Sequence, residues 1–358
     1  MTAHADTDTV ATGLWVEGIA MSASRAGQHN RSLRDRSAAE QADVSVVTAC
    51  LCLKLRMVAR TTAVLYDKAL KPSGLSSAQF SALRNIYRFV PLRISELSKV
   101  MLLERTTLTR NLELLQEQGL LELQGSTEDA RVFTPVLTTR GVRTLKTAAP
   151  RWRLAQRRFF GGLGAAGWSQ LLAALRAIAA INEQAPHRLY VGTPDALAPA
   201  MIEGPGVDLL DTQRCANSTL RGAARYVTRE YDAALRDLGI KVTQLHVLAA
   251  IDENPEARPL DLATLLSLDK ASMTLALAGL RRVGWVEIQR HIQTGADALD
   301  ARSIALSDGG QAILTKARAV WSKMQTAKLS EAPSGSLLEW SAAIDNALVA
   351  ALKAQIAL

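Results

Sequence analysis

Cysteine is scarce in this chain, with three residues in 358: Cys50, Cys52 and Cys215. Their spacing matches no zinc-binding pattern, and three thiols make no disulfide framework, which agrees with a reducing compartment. Apolar runs are short. None approaches the roughly 18 residues a membrane-spanning helix needs, and the first thirty residues lack the basic start and apolar centre of a signal peptide. A cytoplasmic protein without membrane association is therefore expected. The five histidines form no cluster with carboxylates, and no glycine-rich nucleotide turn follows a strand pattern. No metal, no cofactor and no enzyme activity are expected.

What is present is uneven positive charge. The net formal charge is +8. Residues 45–182 hold 20 Lys and Arg against 8 Asp and Glu, a net of +12, whereas 209–358 hold 17 against 16, a net of +1. The sequence-independent part of DNA affinity scales with the phosphates neutralised, so the two halves cannot contribute equally to holding a polyanion. A length of 358 residues suits two domains, and 48% hydrophobic residues rich in Ala and Leu favour packed helices over sheet.

The most informative stretch is Leu103 to Leu121, LERTTLTRNLELLQEQGLL. Leu108, Leu112 and Leu115 recur at helical spacing, while Arg105, Thr106, Thr107, Thr109, Arg110 and Asn111 leave a polar face free. Gly119 follows the last periodic turn, where a glycine stops a helix in the left-handed conformation. Upstream, Ile94, Leu97 and Val100 give a shorter helix, so the pair reads as a helix-turn-helix. The stretch occurs twice. A shift of 165 residues places Leu268 to Val286 on it, and from 50/215 to 123/288 the two copies are identical at 21 of 74 positions. Arg56/Arg221, Arg60/Arg225, Tyr66/Tyr231, Asp67/Asp232, Gly74/Gly239, Gln79/Gln244, Leu97/Leu262, Thr109/Thr274 and Gly119/Gly284 are among them. A repeat of this length is a duplicated domain, since solenoid units run to roughly 20–50 residues.

Along the chain, residues 1–44 are expected to be a disordered extension, with Met21 as a second candidate start. A helix is expected from about Val46 to Lys71, ended by Pro72 and Gly74, and another from Ser77 to Phe89. The two motif helices follow, then a strand at Leu121–Leu123, a polar turn and a strand at Arg131–Leu137. Thr138–Phe160 is a long helix with Pro150 expected to kink or interrupt it. Gly161, Gly162, Gly164 and Gly167 break it before a last helix at Trp168–Ile181. Pro186, Pro194, Pro199 and Pro205 mark a connection over 183–208. The second copy repeats the order over 209–358. The fold class expected is mainly α with small β wings: two winged helix-turn-helix lobes joined by a helical dimerisation domain.

With LxxxQxxxL at Leu75/Gln79/Leu83 and Ile240/Gln244/Leu248, ERTTLTRNL before EQGL, and DARVFTPVLTTRG in the wing, the chain resembles the MarR family of transcriptional regulators. The resemblance covers roughly 45–182 and 211–356. Members are usually homodimers with intertwined terminal helices, which implies here a single-chain pseudo-dimer of two protomers, 45–182 and 209–358, bound to double-stranded DNA. In the first protomer Arg105, Thr106, Thr107, Thr109, Arg110 and Asn111 would face the major groove, where Arg reads guanine, Asn reads adenine and Thr takes phosphate or a thymine methyl. Arg131, near Asp129, would enter the minor groove. The second protomer departs: Thr106, Arg110 and Asn111 become Ala271, Leu275 and Ala276. Lys270, Ser272, Thr274 and Arg302 remain as candidate phosphate contacts. Unequal half-sites about one helical turn apart are expected.

The family also implies a small aromatic or phenolic effector. Candidate pocket residues are Arg60, Tyr66, Trp152, Arg225, His246 and Trp321; the alternatives are core or interface aromatics for Tyr66 and Trp152, structural ion pairs for the arginines and a satisfied helix histidine for His246. A hydroperoxide-sensing branch carries a reactive cysteine in the first helix near tyrosines, and Cys52 with Tyr66 resembles that arrangement. Ser77 stands where a further tyrosine would be expected, and the second copy has Asn217 in place of Cys52. Some methyltransferases carry a winged helix, but the second half here repeats the first instead of becoming an α/β domain. A third alternative keeps the fold without DNA binding, as a protein or ligand binder.

Overall fold

A computed structural model describes residues 45–89, 93–101, 103–125, 133–180, 215–255, 257–290, 302–330 and 336–358. The extension over 1–44, the connection over 183–208 and the wing residue Arg131 lie outside the described residues. The first copy of the repeat forms α1 (Val46–Ala49), α2 (Leu51–Leu70), α3 (Ser77–Phe89), α4 (Ile94–Val100), α5 (Arg105–Glu117), β1 (Leu121–Gly125), β2 (Phe133–Leu137) and α6 (Thr139–Ala180). The second forms α7 (Ala216–Ala234), α8 (Val242–Glu253), α9 (Pro259–Leu265), α10 (Lys270–Arg282), β3 (Val286–Arg290), β4 (Arg302–Leu306), α11 (Asp308–Ser330) and α12 (Ser336–Ile356). The chain is mainly helical, with two winged-helix lobes whose wings are two-stranded antiparallel sheets. Leu121 pairs with Leu137 in one and Val286 with Leu306 in the other. Among the described residues no helix is long and apolar enough to cross a membrane.

The chain divides into two compact units that do not coincide with the two copies. One draws its described residues from Thr61–Tyr226 and Ala343–Leu358, the other from Glu17–Arg60 and Val227–Ala342. Each unit therefore contains the winged helix of one copy and the opening turns of the first long helix of the other. Composition along α2 fits this division. Cys50, Leu51, Cys52, Leu53, Leu55, Val58 and Ala59 are all buried, as expected of a helix enclosed on every side. Beyond Arg60 the pattern becomes amphipathic, with Leu65, Tyr66, Ala69 and Leu70 buried and Val64, Asp67 and Lys68 exposed.

Local chemistry repeats between the copies. After α2 and α7 a short 3-10 turn ends in Gly74 (φ 72°) and Gly239 (φ 66°), left-handed positions that suit glycine. Asp67 then accepts from the N–H of Ser77, and Asp232 from that of Val242, so each first helix satisfies an orphan donor at the start of the next.

Two elements differ from the sequence-based expectation. The first helix is interrupted at Cys50, whose ψ is 109°. Ser45 Oγ donates to Glu253 at 2.5 Å and the Val46 N–H donates to the same carboxylate at 3.0 Å, while Arg318 pairs with Asp252 and Glu253 at 2.6 and 3.2 Å. Those bonds hold α1 at the end of α8, and the chain bends at Cys50 to reach it. In α6 neither Pro150 nor the glycines at 161, 162 and 167 break the helix: the single non-helical residue is Gly164 (φ 72°, ψ 167°). Buried Ala148, Ala149 and Trp152 keep the turn around Pro150 packed, and Phe159, Phe160 and Trp168 clamp the chain across the break, the last two edge to face at 4.7 Å.

Candidate nucleic-acid interface

Helix α5 buries Leu108, Leu112 and Leu115, resting them on α3, α4 and β1. The opposite face leaves Arg105, Thr106, Thr107 and Arg110 exposed and Thr109 and Asn111 half-buried. Its N-cap, Glu104, makes no side-chain cap bond. At the far end Gly119 is left-handed (φ 66°), and its carbonyl accepts from Thr138 Oγ1 at 2.8 Å. The same hydroxyl accepts from the N–H of Gly141 at 3.0 Å, capping α6. One threonine therefore ties the end of α5 to the helix that follows the wing.

Helix α10 has the same frame, with Met273, Leu277 and Leu280 buried, but a different outer face. Asp269 accepts from the Ser272 N–H at 2.8 Å and from Ser272 Oγ at 2.6 Å, and Thr274 Oγ1 donates to the Lys270 carbonyl at 2.8 Å. Both hydroxyl protons are consumed inside the helix. Lone pairs are what these two hydroxyls still offer, and a phosphate oxygen accepts but cannot donate. Lys270 is exposed; Leu275, in the place of Arg110, is 74% exposed. Arg302 opens β4 opposite Arg290 in the register.

The six residues considered for an effector divide between the units. Tyr66, Trp152 and Arg225 lie in one, Arg60, His246 and Trp321 in the other. Buried Tyr66 and Tyr231 pair their hydroxyls with Gln156 and Gln325. Gln156 also accepts from the N–H of Ala216, and Gln325 donates to the carbonyl of Ala49, each at 3.1 Å. These glutamines were missed in the sequence, although the repeat continues beyond the wings at a spacing of 169 (325 minus 156), which also aligns Trp152 with Trp321. Trp152 Nε1 donates to Cys215 Sγ at 3.4 Å; its ring stacks on Phe80 and lies 4.7 Å beneath the Arg84 guanidinium. Arg225 donates to the carbonyl of Met101 and Arg60 to that of Leu266. Burial, with Arg56 beside it, brings Arg60 down to about 10, against the pull of Asp269.

Cys52 Sγ lies 3.7 Å from Thr228 Oγ1, and Tyr66 belongs to the other unit. Burial first, and then Cys50, pushes its thiol well above the ordinary range. Cys50 Sγ is 3.4 Å from His246 Nε2, and burial raises that thiol too. Burial, reinforced by Arg56 and Arg60, holds the imidazole well below its usual value. His246 is thus neutral when folded and gains a proton only when the chain opens. Stability should therefore fall as pH drops below roughly 6.5, by up to about 1.4 kcal/mol per pH unit. Thermal unfolding at pH 7 and pH 5 checks this: His246→Gln should shrink the acid-induced drop in midpoint, and an unchanged drop would refute the assignment. Among the described residues no group of His, Cys, Asp and Glu has metal-site geometry.

Models of the MarR family match residues 73–132 and 240–293. No curated protein matches the chain. Among solved structures, the M. tuberculosis transcriptional regulator MosR in complex with DNA is 40% identical over 32% of this chain and 84% of its own, with a TM-score of 0.30. A cysteine-to-serine mutant of MarR from E. coli, complexed with operator DNA, is 29% identical over 26% and 67%, with a TM-score of 0.26. AbsC from Streptomyces coelicolor, a MarR family transcriptional regulator, is 25% identical over 36% and 88%, with a TM-score of 0.33. The two family models fall one on each copy of the repeat. This chain belongs to the MarR family and carries that family's transcriptional-regulator fold twice.

Proposed function

We propose that this protein is a transcriptional regulator that binds an imperfect palindrome in double-stranded DNA as an asymmetric single-chain pair, the first protomer (45–182) holding harder than the second (209–358). The observation that carries this reading is the outer face of α5, where Arg105, Thr106, Thr107 and Arg110 are exposed above a buried leucine ridge. Guanidinium and amide groups there match guanine and adenine edges in the major groove. The charge of +12 on residues 45–182 supplies the phosphate-directed part, and MosR and MarR, both similar to this chain, have structures with DNA. In the second lobe Lys270 offers charge, Ser272 and Thr274 offer little as donors, and Leu275 with Ala271 suits thymine methyls better than phosphate. Arg131 and Arg302 are proposed as the wing contacts.

The exchange of first-helix turns between the compact units supports the pseudo-dimer, since each unit draws on both copies. Fusion replaces a bimolecular association by an intramolecular one with a high effective concentration. Release by a small aromatic or phenolic effector is the proposed control, with Tyr66, Trp152 and Arg225 as the candidate residues in one unit and Arg60, His246 and Trp321 in the other. The redox alternative at Cys52 is weaker, because the thiolate is the reactive species and burial keeps this thiol protonated.

A mobility shift on duplexes from the protein's own upstream region, against scrambled duplex, tests the reading. Selective binding with a steep fall in affinity as salt rises is expected. Release by an aromatic acid and not by hydroperoxide would support the control proposed, and release by hydroperoxide alone would restore the redox alternative. Absence of any shift would favour a fold kept for a protein or ligand partner.

A further inference from the structure

We infer that Arg60 and Arg225 are crossed positioning residues, each fixing the helix-turn-helix turn of the copy to which it does not belong. Arg225 donates to the carbonyl of Met101 at 2.8 Å, and Arg60 to that of Leu266 at 2.9 Å. Met101 and Leu266 are the C-caps of α4 and α9. They stand 165 residues apart, as do the two arginines, so one contact is built twice from separate segments. The carbonyls at a helix end lack partners within the helix and carry its negative pole, which a guanidinium satisfies in both respects. Just after each capped residue the backbone folds back, Leu103 N–H onto the Ser98 carbonyl and Leu268 N–H onto that of Ala263. Glu104 and Asp269 then open α5 and α10. Asp269 acts on Arg60 through its charge, which sets that cation by the end of α9 and the start of α10 alike.

The direction in which each recognition helix leaves its turn thus depends on a side chain from the other half of the chain. The role deepens the DNA-binding reading, and the first arm of its test uses no DNA, so the two stand or fall separately. Hydrogen exchange read by mass spectrometry on the full chain compares Arg225→Met and Arg60→Met with the parent. Arg225→Met should speed exchange about tenfold across 97–108 and leave 262–273 unchanged, and Arg60→Met should do the reverse, the loss expected of one charge-assisted bond. Arg→Lys at either position keeps charge but not the planar fork, and should loosen the same segment by less; these variants also carry the test should a Met variant fail to fold. Loosening confined to the variant's own copy, equal loosening of both, or none, would overturn the inference. In a second arm, on duplex captured by the parent protein, Arg225→Met should lower affinity more than Arg60→Met, because it releases the harder-gripping helix. Equal losses would overturn that ordering.

Discussion

Arg105→Glu should lower operator affinity about a hundredfold, whereas Lys270→Glu should lower it by about tenfold or less. A good bidentate contact from Arg to guanine discriminates by about 1–3 kcal/mol, and at 1.4 kcal/mol per decade its loss together with the repulsion of a new carboxylate reaches roughly two decades. Arg105 opens α5 on the exposed face, followed within six residues by Thr106, Thr107, Thr109, Arg110 and Asn111. Lys270 opens α10 beside Asp269, whose carboxyl pKa is lowered by the hydrogen bonds it accepts from the Ser272 hydroxyl and N–H. A carboxylate precedes each cation, Glu104 before Arg105 and Asp269 before Lys270, so what sets α10 apart is Leu275 in the place of the second arginine and Ala276 in that of the asparagine. Fluorescence anisotropy over a salt series measures both effects. Each reversal should also flatten the dependence of log affinity on log salt by about one ion. Equal losses at the two positions would sink the asymmetry, and no loss at Arg105 would sink the assignment of α5 as the reading helix.

Several identities shared by the copies were legible in the sequence because they have a local reason. Gly74, Gly239, Gly119 and Gly284 all have positive φ, Asp67 and Asp232 each meet the first N–H of the next helix, and Leu97 and Leu262 are core residues. Helical periodicity likewise picked out Leu108, Leu112 and Leu115. Partnerships between copies were not legible. Periodicity tells which face of α2 is buried but not which copy buries it, and the acceptors of Arg60 and Arg225 are backbone carbonyls, which carry no residue signature. The interruption at Cys50 depends on Glu253, about two hundred positions away (253 minus 50). The break in α6 falls on one of four glycines, because only Gly164 takes a conformation that L residues avoid. As for the outer face of α10, the sequence showed Ser272 and Thr274 as candidate contacts; that their protons are already donated to Asp269 and to the Lys270 carbonyl is a matter of geometry.

The largest loss of stability from a single methyl group is expected at Gly141. A Cβ built there meets the Leu120 carbonyl oxygen at 1.9 Å and its carbon at 2.9 Å, and at Gly310 the Trp285 carbonyl oxygen stands at 2.0 Å. Both struck atoms are backbone, so no rotamer gives way. The helix must retreat, and retreat breaks the Thr138 hydroxyl's bonds to Gly119 and Gly141, or those of Ser307 to Gly284 and Gly310. Overpacking costs typically about 1–3 kcal/mol, and with the lost cap added Gly141→Ala should cost about 3–4 kcal/mol. Gly161→Ala is the control: within the same helix nothing lies within 4 Å of its Cβ, and alanine should stabilise an exposed helical site by up to about 1 kcal/mol. Denaturant unfolding followed by hydrogen exchange separates the two lobes. Gly141→Ala should weaken protection over 105–121 and 139–150, and Gly310→Ala over 270–286 and 308–320. Because Gly119 and Leu120 end the helix that carries Arg105 and Arg110, a displaced α6 also drags on the reading face. Gly141→Ala should consequently lose DNA affinity even at temperatures where it remains folded. An alanine tolerated at 141 without loss of midpoint would mean that α6 does not approach the end of α5 so closely.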